Sequence, residues 1–454
     1  MSLLLIRNAA IVSVDPDVGV LPSGDILVQD DRIAAIGAAL DAPEGAEVIE
    51  AGEMIAMPGF VNAHIHTWQA GLRGIAVNWT LAQYFRAMHA GLATHFRPDD
   101  IRIANHVGAL HQLNAGTTTL ADWCHNNPTP DHTDAAIDGL EASGVRAVFL
   151  HGSPKPDPKP GQPHFSEIPM PRDEIVRLRE GRLSSDAARV TLGLAVLGPQ
   201  LSVAQVCDSD FRMAKEFGMV ASMHVSGDML TPDGFLQLAG AGLLGPHVNI
   251  VHGNSITDDD QLQFLIDHGV SFTPTPEVEL QMGFGDPLTN RLRAMGGRIS
   301  LGSDIESSMA GEMFTVTRFA LQSARHRDTL SALAKDGRPP AEMMIPASEA
   351  LGWATIEGAR MLGMEDRIGS LTVGKQADIV LLDASRINMR PVHDPVASIL
   401  FHAGTGNVDT VLVGGEIVKR GGELQAAGVD GLTNEVAESG RRIIADFETA
   451  SGAA

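Results

Sequence analysis

His64 and His66 stand two residues apart in Pro58-Gly59-Phe60-Val61-Asn62-Ala63-His64-Ile65-His66. Phe60-Val61 closes an apolar run, so both histidines fall at the end of a predicted strand, where residues i and i+2 point to the same side. Two imidazoles placed in this way can grip one metal ion. The same pattern also suits two polar residues that simply end a strand. Further polar residues terminate apolar runs: His224 after Met219-Val220-Ala221-Ser222-Met223, His252 after Val248-Asn249-Ile250-Val251, and Asp304 after Ile299-Ser300-Leu301-Gly302-Ser303. Any one of these could merely cap a following helix. Together they offer three or four neutral imidazoles and one carboxylate, a donor set that suits Zn²⁺ or Fe²⁺ and does not suit Ca²⁺ or Mg²⁺.

For these side chains to meet, their strands must end on one face. Apolar runs at 118–122, 146–151, 190–196, 220–224, 248–252, 270–273 and 298–304 alternate with helical stretches such as 98–115, 134–143, 210–217 and 259–268. Continuous apolar strands joined by helices read as parallel strands buried on both faces. Eight such units make a (β/α)₈ TIM barrel, whose strand C-termini converge on the catalytic face. Short strands also fill the first 55 residues, and strand texture returns after Gly369 at 377–382, 408–413 and 416–419, with Gly414-Gly415 as a turn. The expected architecture is therefore α/β. Residues 1–58 form one part of a small β-sandwich, 59–368 the metal-dependent barrel, and 369–454 the rest of the sandwich with a helix near 432–450. The proline-rich stretch 153–163 predicts a surface loop that could lie as a lid over the barrel mouth.

The 454 residues are 44% hydrophobic and 20% charged, a globular composition. Lys plus Arg is 33 against 56 Asp plus Glu, a net charge of −23. Such acidity argues against binding nucleic acid or an anionic membrane surface. The two cysteines, Cys124 and Cys207, form no CxxC pattern, which excludes a disulfide scaffold and a thiolate zinc cage. With no secretory leader pattern and no apolar run of about 18 residues, the expected compartment is the cytoplasm.

The chain resembles the amidohydrolase superfamily, in the branch that contains cytosine, guanine and S-adenosylhomocysteine deaminases and triazine hydrolases. The resemblance covers nearly the whole chain. It rests on Leu5-Ile6-Arg7-Asn8-Ala9, Met57-Pro58-Gly59-Phe60-Val61-Asn62-Ala63-His64, Gly116-Thr117-Thr118-Thr119, Leu301-Gly302-Ser303-Asp304, Ala354-Thr355-Ile356-Glu357-Gly358-Ala359-Arg360 and Ile368-Gly369-Ser370-Leu371-Thr372-Val373-Gly374-Lys375-Gln376-Ala377-Asp378. It implies the barrel with its split sandwich, a small-molecule substrate and a homodimer or higher homo-oligomer. It also implies that His64, His66, His224 and Asp304 hold one divalent metal, Zn first, with Fe or Mn as alternatives. His252 would orient the attacking hydroxide or the substrate, and Asp304 would take the water's proton. No lysine stands at Leu197-Gly198-Pro199-Gln200, so one metal is expected rather than a carboxylated-lysine pair.

The departures bear on the reaction. Deaminases of this branch place a glutamate three residues after the fifth-strand histidine; here that position is Gly227, followed by Asp228. Gln200 replaces a histidine after the fourth strand. The seventh strand leads to Glu277 where the family has an asparagine. These changes shift weight toward ring opening, or displacement of a substituent such as an alkylamino group or halide. The alternatives are deamination with a non-standard proton shuttle and a non-catalytic binding protein on the same fold. Residues expected to line the mouth and meet substrate are Trp68, Gln69, Trp123, His125, Gln200, Asp228, Glu277 and Gln281, with Met282 and Phe284 shaping specificity. Glu306 is either a partner behind the ligands or part of a helix cap. His89, His95, His106, His111, His132, His268, His326 and His402 are read as ordinary helix or surface residues.

Overall fold

In the computed structural model, which describes residues 2–452, eight parallel strands pair in chain order. They are Phe60–Ile65, Thr117–Cys124, Arg146–Gly152, Val190–Ala195, Ala221–Val225, Val248–His252, Ser271–Thr273 and Arg298–Ile299. The first three are buried at every residue, which is why they lack polar alternation. Helices carry the chain back between them. Pro98–Asn114 starts with proline in its first turn and with Asp99 and Asp100 beside its positive end. Pro130–Ser143 stops at Gly144, whose φ of +79° ends the helix.

The eighth strand ends early as a regular ladder, yet the chain stays extended to Asp304 and closes the barrel. Ala63 N donates to Leu301 O at 2.9 Å, Asp304 N to His64 O at 3.0 Å, and His66 N to Asp304 O at 2.8 Å. Asn62 reinforces this seam: its Nδ2 donates to Ser303 Oγ at 2.7 Å, and its Oδ1 accepts from Ser303 N at 3.1 Å. The two strands approach so closely that a Cβ on Gly302 would lie 2.7 Å from both the Cβ and the backbone oxygen of His64.

The terminal segments build one nine-stranded sheet. Ile379–Asp383 pairs antiparallel with Met54–Pro58, placing a late strand beside the segment that leads into the His64 strand. The sheet has its own core, including Ile6, Ile11, Ile26, Ile379 and Leu412. A buried Arg146–Asp378 pair, at 2.9 and 3.0 Å, ties it to the third barrel strand. The last helix, Val429–Ser451, packs on Pro98–Asn114, where Arg442 and Ser439 both engage Asp100. Loop 153–163 lies mostly exposed, but Ser153 and Lys155 turn inward and are buried. No helix of the described residues is long and apolar enough to cross a membrane.

The crowding at Gly302 sets an expectation. Gly302→Ala should destabilise the protein by about 1–3 kcal/mol, the usual range for overpacking a filled interior, read as a lower urea midpoint with unchanged slope.

Candidate active site

At the C-terminal mouth of the barrel, donor atoms of His64, His66, His224 and Asp304 all lie within 4.8 Å of one another. His64 Nε2 sits 3.1 Å from Asp304 Oδ1 and 3.2 Å from His224 Nε2, and His66 Nε2 lies 3.4 Å from the same Asp304 oxygen. Two nitrogens each about 2.0–2.1 Å from a tetrahedral zinc would stand roughly 3.3 Å apart. A single proton cannot serve two imidazole lone pairs and a carboxylate at once, whereas one cation can. The donor set and its spacing fit a single divalent ion.

Hydrogen bonds behind the ligands aim them. His66 Nδ1–H donates to the Trp123 carbonyl at 2.6 Å, and because a carbonyl only accepts, His66 Nε2 carries the free lone pair. Asp304 has a φ of +65° and His252 of +66°, a left-handed conformation that non-glycine residues adopt only when their surroundings enforce it. At Asp304 the enforcement comes from its two backbone bonds to the first strand. His252 Nε2 points to Asp304 Oδ2 at 4.0 Å, while its Nδ1 lies 2.9 Å from Thr275 Oγ1 and 3.4 Å from the fully buried Glu279.

Burial keeps the imidazoles neutral. Desolvation lowers His64, lowers His66 to about 3, and holds His224 well below the usual histidine value. Burial alone would raise Asp304, but the His64 hydrogen bond and the nearby His252, His64 and His66 rings reverse this and hold it well below the ordinary carboxylate range. Neutral nitrogens around an ionised carboxylate are the protonation states that a divalent metal requires.

The profile described as "Amidohydrolase family" matches residues 55–418. The chain belongs to the amidohydrolase family. Its relatives include 5-methylthioadenosine/S-adenosylhomocysteine deaminases from Moorella thermoacetica (27% identical, 96% of this chain and 98% of that protein) and Nitratidesulfovibrio vulgaris (28% identical, 95% of each). Two solved structures share the fold. One is an adenosine deaminase from Xanthomonas campestris with bound zinc (TM-score 0.82, 23% identity, 97% and 98% coverage). The other is an atrazine chlorohydrolase from Arthrobacter aurescens complexed with zinc (TM-score 0.82, 21% identity, 96% and 100% coverage).

Other residues expected at the mouth of this amidohydrolase divide into three groups. Gln200 lines the metal pocket, and its Oε1 accepts from Ser226 N at 2.7 Å. A Cβ on Gly227 would come within 2.9 Å of the Gln200 amide, so Gln200 fills the space beside that glycine. Met282 and Phe284 line the same pocket. Trp123 packs on His224 with ring centroids 4.1 Å apart, and His125 meets the rings of both His66 and Trp68 edge-on. Gln69 bonds Tyr84 and Ser307. Asp228 is exposed, Glu277 lies beside Glu312 with burial raising it to about 7, and Gln281 bonds Val77 and Ser308. None of these last three lines the metal pocket.

Three groups near the site carry no motif in the sequence. His89, expected to be ordinary, lies in a π-helical turn at Phe85–His89; its Nδ1 is 2.9 Å from His125 Nε2, and it lines the metal pocket. Glu279, not Glu277, is the carboxylate against His252. Asp122 accepts from Thr67 N at 3.1 Å and from Asn105 at 3.1 Å beneath the His66 turn, and burial raises it to about 6. Glu306 is an internal partner rather than a cap: it binds Arg73, His111 and Gln112. Five residues at 85–89 are too few to carry a helical period, so packing decides His89's direction as it decides the other two.

Two outcomes are expected. Purified protein stripped by chelator should take up one equivalent of zinc per chain, and His224→Ala should lower that affinity at least tenfold, measured by competition with a chromophoric chelator. His151 is buried with both ring nitrogens unpartnered, and burial lowers it to about 4. The unfolded chain then binds the extra proton between about pH 6.5 and 4, so this residue's contribution to stability is intact above pH 6.5 and is lost as pH falls through that window. His151→Asn should remove up to about 3 kcal/mol of this acid sensitivity, seen in urea midpoints at pH 7 and 4.5.

Proposed function

We propose that this amidohydrolase uses one metal ion to hydrolyse a carbon–nitrogen bond, other than a peptide bond, in a small heterocyclic or amide substrate. The observation that carries the proposal is the gathering of His64, His66, His224 and Asp304 within 4.8 Å, with His252 Nε2 facing the second Asp304 oxygen at 4.0 Å. Zinc is the proposed ion, supported by the zinc in the Xanthomonas and Arthrobacter proteins; iron and manganese accept the same donors. When bound, such an ion makes hydroxide available near neutral pH and polarises the electrophilic carbon.

The chain's own residues do the rest. His64, His66 and His224 hold neutral nitrogens at the ion. Asp304 Oδ2, the oxygen turned toward His252, receives the water's proton as general base. His252, backed by Thr275 and Glu279, orients the attacking oxygen or the substrate through Nε2. Phe85, Met282 and Phe284 wall the pocket against bulk water. The enclosed space is about 40 Å³, room for a few waters and not for a heterocycle, so this wall moves when substrate binds.

Among the described residues that line this pocket, Asp304 is the one carboxylate. With Gly227 in place of a glutamate and Asp228 exposed, one carboxylate must carry the proton traffic. This favours ring opening or displacement of a substituent. Deamination, with Asp304 and His252 sharing the shuttle, is the second reading, supported by deaminase relatives that align along 96% of the chain. By resemblance to the family, the proposal includes a cytoplasmic homo-oligomer.

The test is a panel of aminopurines, pterins, cytosines and triazines, assayed for ammonia and for substrate loss. Turnover should vanish on chelation and return with zinc, and Asp304→Asn and His252→Gln should lower kcat by about 10²–10⁴-fold. Substrate loss without ammonia supports ring opening or displacement; stoichiometric ammonia supports deamination. Full turnover by metal-free protein would remove the proposal.

A further inference from the structure

Among the described residues, Lys155 is the one buried cation whose partner the fold does not supply. Three cationic side chains are buried among the described residues: Arg146, Lys155 and Lys419. Arg146 is met by Asp378 at 2.9 and 3.0 Å, and Lys419 donates to Asn114 O at 2.8 Å. Lys155 is 5% exposed and makes no hydrogen bond or ion pair with any described residue; its ammonium only lies over the Trp123 ring, 4.9 Å from the centroid. An unpaired buried charge is normally costly enough to be removed by selection or to lose its proton. Burial indeed lowers Lys155 to about 7.

Its position is built rather than accidental. Lys155 sits between Pro154 and Pro156 in Ser153-Pro154-Lys155-Pro156-Asp157-Pro158. Proline fixes its own φ, and it holds the residue before it extended. The alternation of an extended chain turns Ser153 and Lys155 inward with Pro154 half-buried between them, and the chain emerges at the surface from Pro156 on, where Pro156 to Pro158 are exposed. The strap therefore holds the ammonium at the boundary of two spaces. On one side it lines the metal pocket with His66, His224 and Asp304; on the other it lines an outer cavity of about 330 Å³ with His125 and Asn126. Among the described residues, Asp304, which the metal claims, is the one carboxylate lining the metal pocket, and Asp157, in the outer cavity, is exposed and makes no ion pair with Lys155, so the counter-charge arrives with the ligand.

We propose that Lys155 is a specificity-determining residue that receives a carboxylate carried by the substrate, with the reacting carbon at the metal and the carboxylate turned toward the outer cavity. This rests on the hydrolase reading above and narrows its substrate class to heterocycles or amides that bear an anionic substituent. A neutral aminated ring would leave the ammonium buried and unpaired in the complex. A carboxylate would meet it in a pocket of low polarity, where a charge-assisted hydrogen bond is strongest.

The experiment uses matched probes: cytosine and 5-carboxycytosine, and 2,4-diamino-1,3,5-triazine and its 6-carboxylate. Each is titrated calorimetrically into the zinc-loaded full chain as wild type, Lys155→Met, Lys155→Gln and Lys155→Arg. The wild type should bind the carboxylate of at least one pair tenfold or more tightly than its neutral twin. That advantage should fall below threefold in both uncharged variants and persist in the arginine variant. Thermal midpoints of the variants at or above that of wild type would show that the fold is kept. No advantage in wild type overturns the inference. So does an advantage that survives Lys155→Met, which would put the carboxylate on the metal. For any pair that is turned over, the variant should raise KM for the carboxylate selectively. An equal fall of kcat on both twins would make Lys155 a proton donor and overturn the inference as well. Carboxylate binding that depends on Lys155, with no turnover of any compound in the wider panel above, would sink the hydrolase reading alone; turnover without that dependence would sink the lysine assignment alone.

Discussion

The seam between the first and eighth barrel strands is the constraint on which the rest depends. His64 and Asp304 are 240 positions apart, yet the backbone of one bonds the backbone of the other, and their side chains meet at 3.1 Å. Closing the barrel and assembling the site are therefore one event. Asn62, Ser303 and Gly302 serve that seam rather than chemistry directly: two supply its hydrogen bonds, and the third lets the backbones approach. The strained backbone at Asp304 is stable because two backbone hydrogen bonds, to His64 and His66, hold it.

Desolvation then sets the electrostatics. Burial in the barrel mouth keeps three imidazoles neutral, and the histidine-rich surroundings keep Asp304 ionised. The result is a site whose protonation states suit a cation before one binds. The aromatic rings around it act on direction more than on charge: Trp123 fixes His66 through its carbonyl and His224 through its ring face.

Around this shared centre, the loops carry what is particular to this amidohydrolase. Gln200 pins the loop after the fifth strand and occupies the space beside Gly227, so the absence of a glutamate there is matched by a change in its neighbour. The third-strand loop enters with a rigid proline-flanked lysine. A pocket with one carboxylate and one unpaired ammonium differs in charge from one built to pass protons between two carboxylates. Its preferred ligand should differ accordingly.

Much of the plan was legible in the chain itself. Period-two spacing put His64 and His66 on one side of a strand, and unbroken apolar runs marked the buried parallel strands that end in His224 and His252. These are local properties, since side-chain direction along a strand and burial on both faces follow from neighbouring residues. Helix ends were readable to within a few residues for the same reason, as at 98–114, where proline and acids mark the start. What the sequence could not settle was which polar residues face inward from short helical turns and loops. His89 turns in from a π-helical turn, Glu279 rather than Glu277 reaches His252, Asp228 stays in solvent, and Lys155 is buried within a loop that is otherwise exposed. A single helical turn or a loop is too short for a period to relate position to direction, so only packing against distant strands decides where each of these side chains points.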